Sequence, residues 1–471
     1  MASRDRLAAA MLTIAVQATA GGAQGPSETR EASHPPRSAG LVTLGRDGRL
    51  QVASAARIDR KPGLVDKIGS FLSGLGYGSP DYESPALCLV GLTPRGTLDS
   101  GFGANGSTLA PLPPLGNRDE VAVTALLEDE KDRTIVVGWR SLSKGFDANF
   151  LAIVAARFTV QGALDPSFGE RGFVTTRIDR DGVTQALAAT LDGEGRLLVA
   201  GYNGGENRDK GRMLDDWPIR VVLLRYTANG SLDPSFGTGG IASRVLVPGR
   251  PNEHTGRDFL RYDSGRTKAM GLTLDRQGRP VVAAAGDDGA IVLLRTTREG
   301  AFDSSFGIAG TVRTPVGKLS GASSLLWDDQ GRLLAAGTSD NNVVLLRYSV
   351  DGALDTSFGD GGIRRTPIGE GMRVSAALRE GDGHVLLVAS GNESVQVVRY
   401  DREGRPAQAP ETSGVVSVAL GRSVAMTAGL AVDDTGTPVV TVASRGGIFF
   451  LRFNRGGLVD KEFLPLPAAR P

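Results

Sequence analysis

Cysteine is almost missing from this chain of 471 residues: Cys88 stands alone, so no disulfide can form within it. Histidine is scarce as well, with His34, His254 and His384 far apart in the sequence. That scarcity argues against a histidine-built metal centre or catalytic triad, and we expect no metal, no cofactor and no catalytic residue. Charge of one sign is not in excess, because 53 Lys and Arg face 52 Asp and Glu for a net charge of +1. Such a balance offers no basic field to release counterions from a phosphate backbone, so nucleic acid is not an expected partner. No apolar run approaches the ~20 residues of a spanning helix, and no membrane span is expected. A Gly-x-Ser-x-Gly elbow, a phosphate-binding P-loop and His-Glu-x-x-His are all lacking.

What the chain has in quantity is glycine, 65 residues of it, with 24 prolines. At fixed offsets such a composition means many turns between short strands. The beginning reads as a leader. Arg4 and Arg6 precede the apolar stretch Leu7 to Val16, and Ala18-Thr19-Ala20 has the small residues of a cleavage site. We therefore expect a signal peptide over 1–23, a polar tether over 24–39, and a secreted or periplasmic protein. Cys88 lies within an apolar run and reads as a small buried hydrophobe.

One phrase recurs. Gly-x-Leu-Asp-x-Ser-Phe-Gly-x-x-Gly stands at Gly162–Gly172, Gly230–Gly240 and Gly352–Gly362, with looser copies at Gly300–Gly310 and Gly96–Gly106. Five residues before each leading glycine a run such as Val-Val-Leu-Leu ends in arginine. These arginines are Arg157, Arg225, Arg295, Arg347, Arg399 and Arg452, spaced by 68, 70, 52, 52 and 53. The same register places Gly91, 66 residues before Arg157, where a first arginine would stand, which makes seven units. The last two units are degenerate, and residues after Phe463 are too few in pattern to show a closing strand.

Each unit reads as four strands, A to D. In the third, A is Ala186–Leu191, B is Arg196–Gly201, C is Arg220–Tyr226 and D is Ile241–Val247. Strand C is apolar without alternation, which requires cover on both of its faces. Radial sheets stacked around an axis supply that cover. The expected fold is all-β, a seven-bladed β-propeller of four-stranded antiparallel sheets over 40–464, with a short tail over 465–471. The phrase LDPSFG after a V-L-L-R-Y strand resembles the delta-60 type of β-propeller repeat over nearly the whole chain. That resemblance implies a propeller, often exported, and no established activity or cofactor.

The repeated residues read as structural. Asp165, Asp233, Asp303 and Asp355 are expected to cap backbone N–H groups in their own loops, since their spacing is not that of a calcium loop. Phe168, Phe236, Phe306 and Phe358 are expected to plug the seams between blades, and the arginines to bridge them. Function is then expected on the opposite face, where the B–C and D–A links carry the long insertions. These are Arg57–Ser84, Arg140–Asn149, Tyr202–Pro218 and Pro248–Lys268, against later links as short as Thr338–Asn342. They hold Tyr77, Tyr82, Asp209, Asp215, Asp216, Trp217, Glu253, His254, Asp258 and Tyr262, a set suited to gripping a protein, peptide or glycan. The expectation is a monomeric, non-enzymatic binding or scaffolding module. The alternative is a carbohydrate-active propeller hydrolase using Asp209, Asp215, Asp216, Glu253 or Asp258, because two carboxylates suffice for that chemistry.

Overall fold

A computed structural model of the chain describes residues 17–19, 29–31, 41–44, 49–59, 83–93, 97–112, 121–143, 149–178, 182–205, 219–247, 270–286, 288–318, 320–391, 394–407, 415–419, 424–432, 437–444 and 447–453. A short pair, β1 (Gln17–Thr19) and β2 (Thr29–Glu31), precedes the main body. Blade 1 comprises β3 (Leu41–Leu44), β4 (Leu50–Asp59), β5 (Glu83–Leu92) and β6 (Ser107–Pro111). Blade 2 comprises β7 (Val121–Glu128), β8 (Thr134–Ser143), β9 (Asn149–Phe158) and β10 (Phe173–Thr176). Blade 3 comprises β11 (Gly182–Leu191), β12 (Leu197–Gly205), β13 (Ile219–Tyr226) and β14 (Ile241–Val247). Blade 4 comprises β15 (Gly271–Leu274), β16 (Pro280–Ala285), β17 (Ala290–Arg295) and β18 (Thr311–Pro315). Blade 5 comprises β19 (Ser320–Trp327), β20 (Leu333–Ser339), β21 (Asn342–Tyr348) and β22 (Ile363–Pro367). Blade 6 comprises β23 (Arg373–Arg379), β24 (Val385–Gly391), β25 (Ser394–Tyr400) and β26 (Val415–Ala419). Blade 7 shows three strands among the described residues, β27 (Val424–Val432), β28 (Pro438–Ser444) and β29 (Gly447–Arg452).

The ring closes. Each innermost strand packs on the next around the axis, from β3 through β7, β11, β15, β19 and β23 to β27, and β27 packs back on β3. The physical driver is visible in the middle strands. All six residues of β16 and all six of β17 are buried, and they divide by parity. Val282, Ala284, Val292 and Leu294 pack with blade 3, while Val281, Ala283, Ile291 and Leu293 pack with blade 5. A period of two with both parities apolar is what a sheet sandwiched between two others requires.

Two local features depart from a plain stack of sheets. Blades 2 and 3 are stitched into one sheet, because β11 meets β9 in parallel at Val183 and Leu151. Strands β7, β11, β19 and β23 also carry a bulge, as between Ala186 and Ala188. The bulge explains Gly201 in strand β12, where a Cβ would lie 1.9 Å from the carbonyl oxygen of Gln185.

Candidate functional site

The repeated phrase builds a latch on one face of the ring at the four seams from blades 2–3 to blades 5–6. In blade 3, Arg225 ends β13 and donates from Nε to Asp233 Oδ2 at 2.8 Å. Its Nη2 donates to Ser235 Oγ at 2.9 Å, and its Nη1 donates to the carbonyl of Arg298 in blade 4. The guanidinium lies 4.7 Å above the ring of Phe236. Phe236 is fully buried and faces the loop of the next blade, where a Cβ on Gly300 would come within 3.1 Å of its ring. Gly237 then donates its N–H to the carbonyl of Glu299 at 2.7 Å. Arginine, phenylalanine and glycine therefore all cross the seam.

The same contacts recur with Arg157, Asp165 and Phe168 against Ala228, and with Arg295, Asp303 and Phe306 against Val350. Arg347, Asp355 and Phe358 repeat the arginine, aspartate and ring contacts within blade 5, with Arg347 at 3.5 Å from the carbonyl of Arg402. A second ion pair backs each latch from the A–B turn. Arg279 donates to Asp275 at 2.7 Å and reaches Asp303 at 2.8 Å, and Arg133 does the same with Asp129 and Asp165.

The carboxylates of this network are fully engaged. Asp233 Oδ1 accepts from the N–H and hydroxyl of Ser235 at 3.0 and 2.6 Å, while Oδ2 takes Arg225. For Asp165, burial opposes the charge, but the Ser167 hydroxyl and N–H and the Arg157 guanidinium outweigh it and hold the carboxyl at about 2. The Ser235, Ser305 and Ser357 bonds similarly help keep Asp233, Asp303 and Asp355 below the ordinary range. No set of His, Cys, Asp and Glu arranged for a metal ion occurs among the described residues.

The opposite face carries the long links. The strand ends that bracket them, Asp59 and Glu83, Ser143 and Asn149, Gly205 and Ile219, Val247 and Gly271, all belong to that one face. Tyr77, Tyr82, Asp209, Asp215, Asp216, Trp217, Glu253, His254, Asp258 and Tyr262 lie outside the described residues, as do His34 and Phe463. The short link of blade 5 is a tight hairpin, in which Asp340 and Asn341, both at positive φ, turn β20 into β21.

At the insertion-face ends of the strands of blades 2 and 3 lies a polar floor that the strand pattern alone left unassigned. Arg140 and Ser141 lie near the end of β8, and Thr184 and Gln185 near the start of β11, close to the Val183–Leu151 contact between the blades. Asn203 on β12 donates to Thr184 Oγ1 at 3.0 Å, and Gln185, buried to 4% exposure, has no partner for its Oε1. A polar interruption of otherwise apolar strand ends is the sequence signal that could have located this floor.

A family described as "Domain of unknown function (DUF5122) beta-propeller" matches residues 213–236 and 331–358. Both stretches run through a C strand and finish on a seam phenylalanine, Phe236 or Phe358. No curated protein matches the chain. Among solved structures, a protein from Lactobacillus plantarum is 14% identical, with 80% of this chain and 90% of that one covered, at a TM-score of 0.46. A protein of unknown function from Dyadobacter fermentans is 11% identical over 90% and 92%, at 0.39. The intramolecular trans-sialidase from Ruminococcus gnavus is 10% identical over 90% and 95%, at 0.36. At those scores the likenesses add nothing to the reading of the site.

Proposed function

We propose that this propeller is an exported binding or scaffolding module whose ligand, a protein, peptide or glycan, docks on the insertion face of blades 1–4. One observation carries the reading: every strand end that brackets a long link belongs to the face opposite the latches. Insertion on the latch face would break contacts that cross each seam, whereas links on the other face vary without touching them. The polar floor at Thr184, Gln185 and Asn203 supports the same surface, since an apolar core gains nothing from the buried amide oxygen of Gln185 that no donor meets. Export rests on the leader-like segment 1–23, and the delta-60 assignment on the copies at 162–172, 230–240 and 352–362.

Probing glycan and peptide arrays with the full chain tests the proposal. Replacing 206–218 by an Asp-Asn turn like that at 340–341 should abolish retention and leave the melting point within about 2 °C. Retention unchanged after trimming all four long links would overturn it. Hydrolysis of an arrayed glycan, lost in Asp215→Asn, would favour the hydrolase reading instead.

A further inference from the structure

Seam 5–6 is built differently from seams 2–3, 3–4 and 4–5, and a cavity of about 350 Å³ lies there on the latch face. Arg347 Nη1 stands 3.5 Å from the carbonyl of Arg402, against 2.5 Å for Arg157 and Arg295 at their seams. The glycine N–H bond that crosses four other seams, from Gly103, Gly169, Gly237 and Gly307, is not formed between Gly359 and Glu403. Two residues set this seam apart from seam 3–4. In blade 4, Arg298 reaches back across its seam to Glu194 at 2.7 Å. Arg402 holds the same place in blade 6 but faces Gln330, which has no charge, and folds onto its own blade to bond the Asp382 carbonyl at 2.8 and 2.9 Å.

The cavity left behind has an apolar floor and a guanidinium rim. Leu334, Leu345, Phe358 and Val385 form the floor. Rim donors are incompletely matched. Arg379 pairs with Asp329 through Nη2, yet its buried Nε has no acceptor. Arg332 donates to Asp328 from Nε, while its Nη1 stays 3.7 Å from Asp355, where Arg279 in blade 4 closes to 2.8 Å on Asp303. Arg379 is particular to this blade, because Leu191, Leu274 and Trp327 occupy its place in blades 3, 4 and 5. Three of the four rim carboxylates are taken, Asp328 by Arg332, Asp329 by Arg379, and Asp401 by the N–H groups of Glu403 and Arg405, while the fourth, Glu403, is exposed at the outer edge.

We propose that this cavity is a second binding site, opposite the insertion face, for a small carboxylate with an apolar body. The carboxylate pairs with the rim guanidiniums of Arg379, Arg332 and Arg347, and the apolar body rests on Phe358 and its neighbours. Planar guanidinium forks suit a carboxylate in a way that a lysine would not. The volume falls in the lower range of small-molecule sites.

The test is calorimetry on the full chain with three probes: 3-phenylpropionate, its neutral primary amide, and sulfate. Saturable binding of the carboxylate, at least tenfold tighter than either other probe, is expected. Arg379→Leu, which restores the residue of blades 3 and 4, should weaken it at least tenfold. Asp329→Asn releases Arg379 and should tighten it, which keeps the test open if Arg379→Leu fails to fold. Equal affinity for the amide, equal affinity for sulfate, or no response to both substitutions would overturn the proposal.

Discussion

Phe236→Ala tests the latch most directly. The side chain is fully buried, with the Arg225 guanidinium 4.7 Å from its centre on one side and the Gly300 loop of blade 4 on the other. Neither wall can collapse into the space. Arg225 is held by Asp233, Ser235 and the carbonyl of Arg298, and the Gly300 loop by the bond from Gly237 to Glu299. A rigid cavity puts the loss at the full cost of an aromatic truncation, about 3–5 kcal/mol. For a ring of some 420 residues unfolding as one unit, an entropy of about 2.1 cal/mol/K per residue gives roughly 0.9 kcal/mol per degree. The midpoint should therefore fall by about 3–6 °C in scanning calorimetry. Phe236→Leu, which keeps most of the volume, should cost less than half as much. Ile308→Ala, at an 86% exposed position on the same face, should leave the midpoint unchanged. A Phe236→Ala midpoint within 1 °C of the parent, or one no lower than that of Ile308→Ala, would refute the latch.

Other outcomes follow from the same geometry. Gly230→Ala should destabilise more than Gly239→Ala: both sit at positive φ, but a Cβ on Gly230 meets Val174 at 2.8 Å and Gly239 has open space, a contrast readable by urea titration. Because Asp165 is held at about 2, below its ordinary 3.8, the stability it contributes is complete above that ordinary value and is lost as pH falls through about 2. Ser167→Ala should move acid unfolding to higher pH, followed by circular dichroism. Burial pushes the Cys88 thiol up to about 12, so a thiol reagent at pH 8 should label it only in denaturant, and rapid labelling of the native chain would contradict the placement of β5.

The fold was legible because the chain states it several times over. Strand C is apolar throughout, its repeats keep one register, and the D strand of blade 3 spans Ile241–Val247 in both sequence and structure. Boundaries moved where polar residues misled the pattern. Strand β11 starts at Gly182 rather than Ala186, because Thr184 and Gln185 are buried strand residues at the insertion-face end of the blade. Strand β12 starts at Leu197 rather than Arg196, whose side chain turns back to Asp192 at 2.7 Å. The parallel contact between β9 and β11 had no signal at all, since it joins strands of different units. The proposed ligand face was readable only as an excess of link length. Its loops do not repeat, and a segment that occurs once carries no internal comparison.

Blade 1 shows how far repetition reaches beyond identity of residues. Its C strand has Gly91 in the arginine position, and a Cβ there would lie 2.5 Å from the Phe102 ring. The guanidinium comes instead from Arg49, at the head of strand B. Arg49 pairs with Asp99 at 2.7 Å, donates to the Val160 carbonyl of blade 2 at 3.0 Å, and sits 5.8 Å from the centre of Phe102. These are the contacts that Arg225 makes with Asp233, Arg298 and Phe236. Arg49 can make them because the aspartate that holds its counterpart Arg196 is replaced, four residues upstream, by Gly45. Two glycines that look like decay of the motif are thus one exchange. The charge has moved from the third strand to the second, and Phe102 has shifted into the space that Gly91 leaves. What the seam requires is a guanidinium over a buried ring with a carbonyl beyond it, and either strand can deliver it.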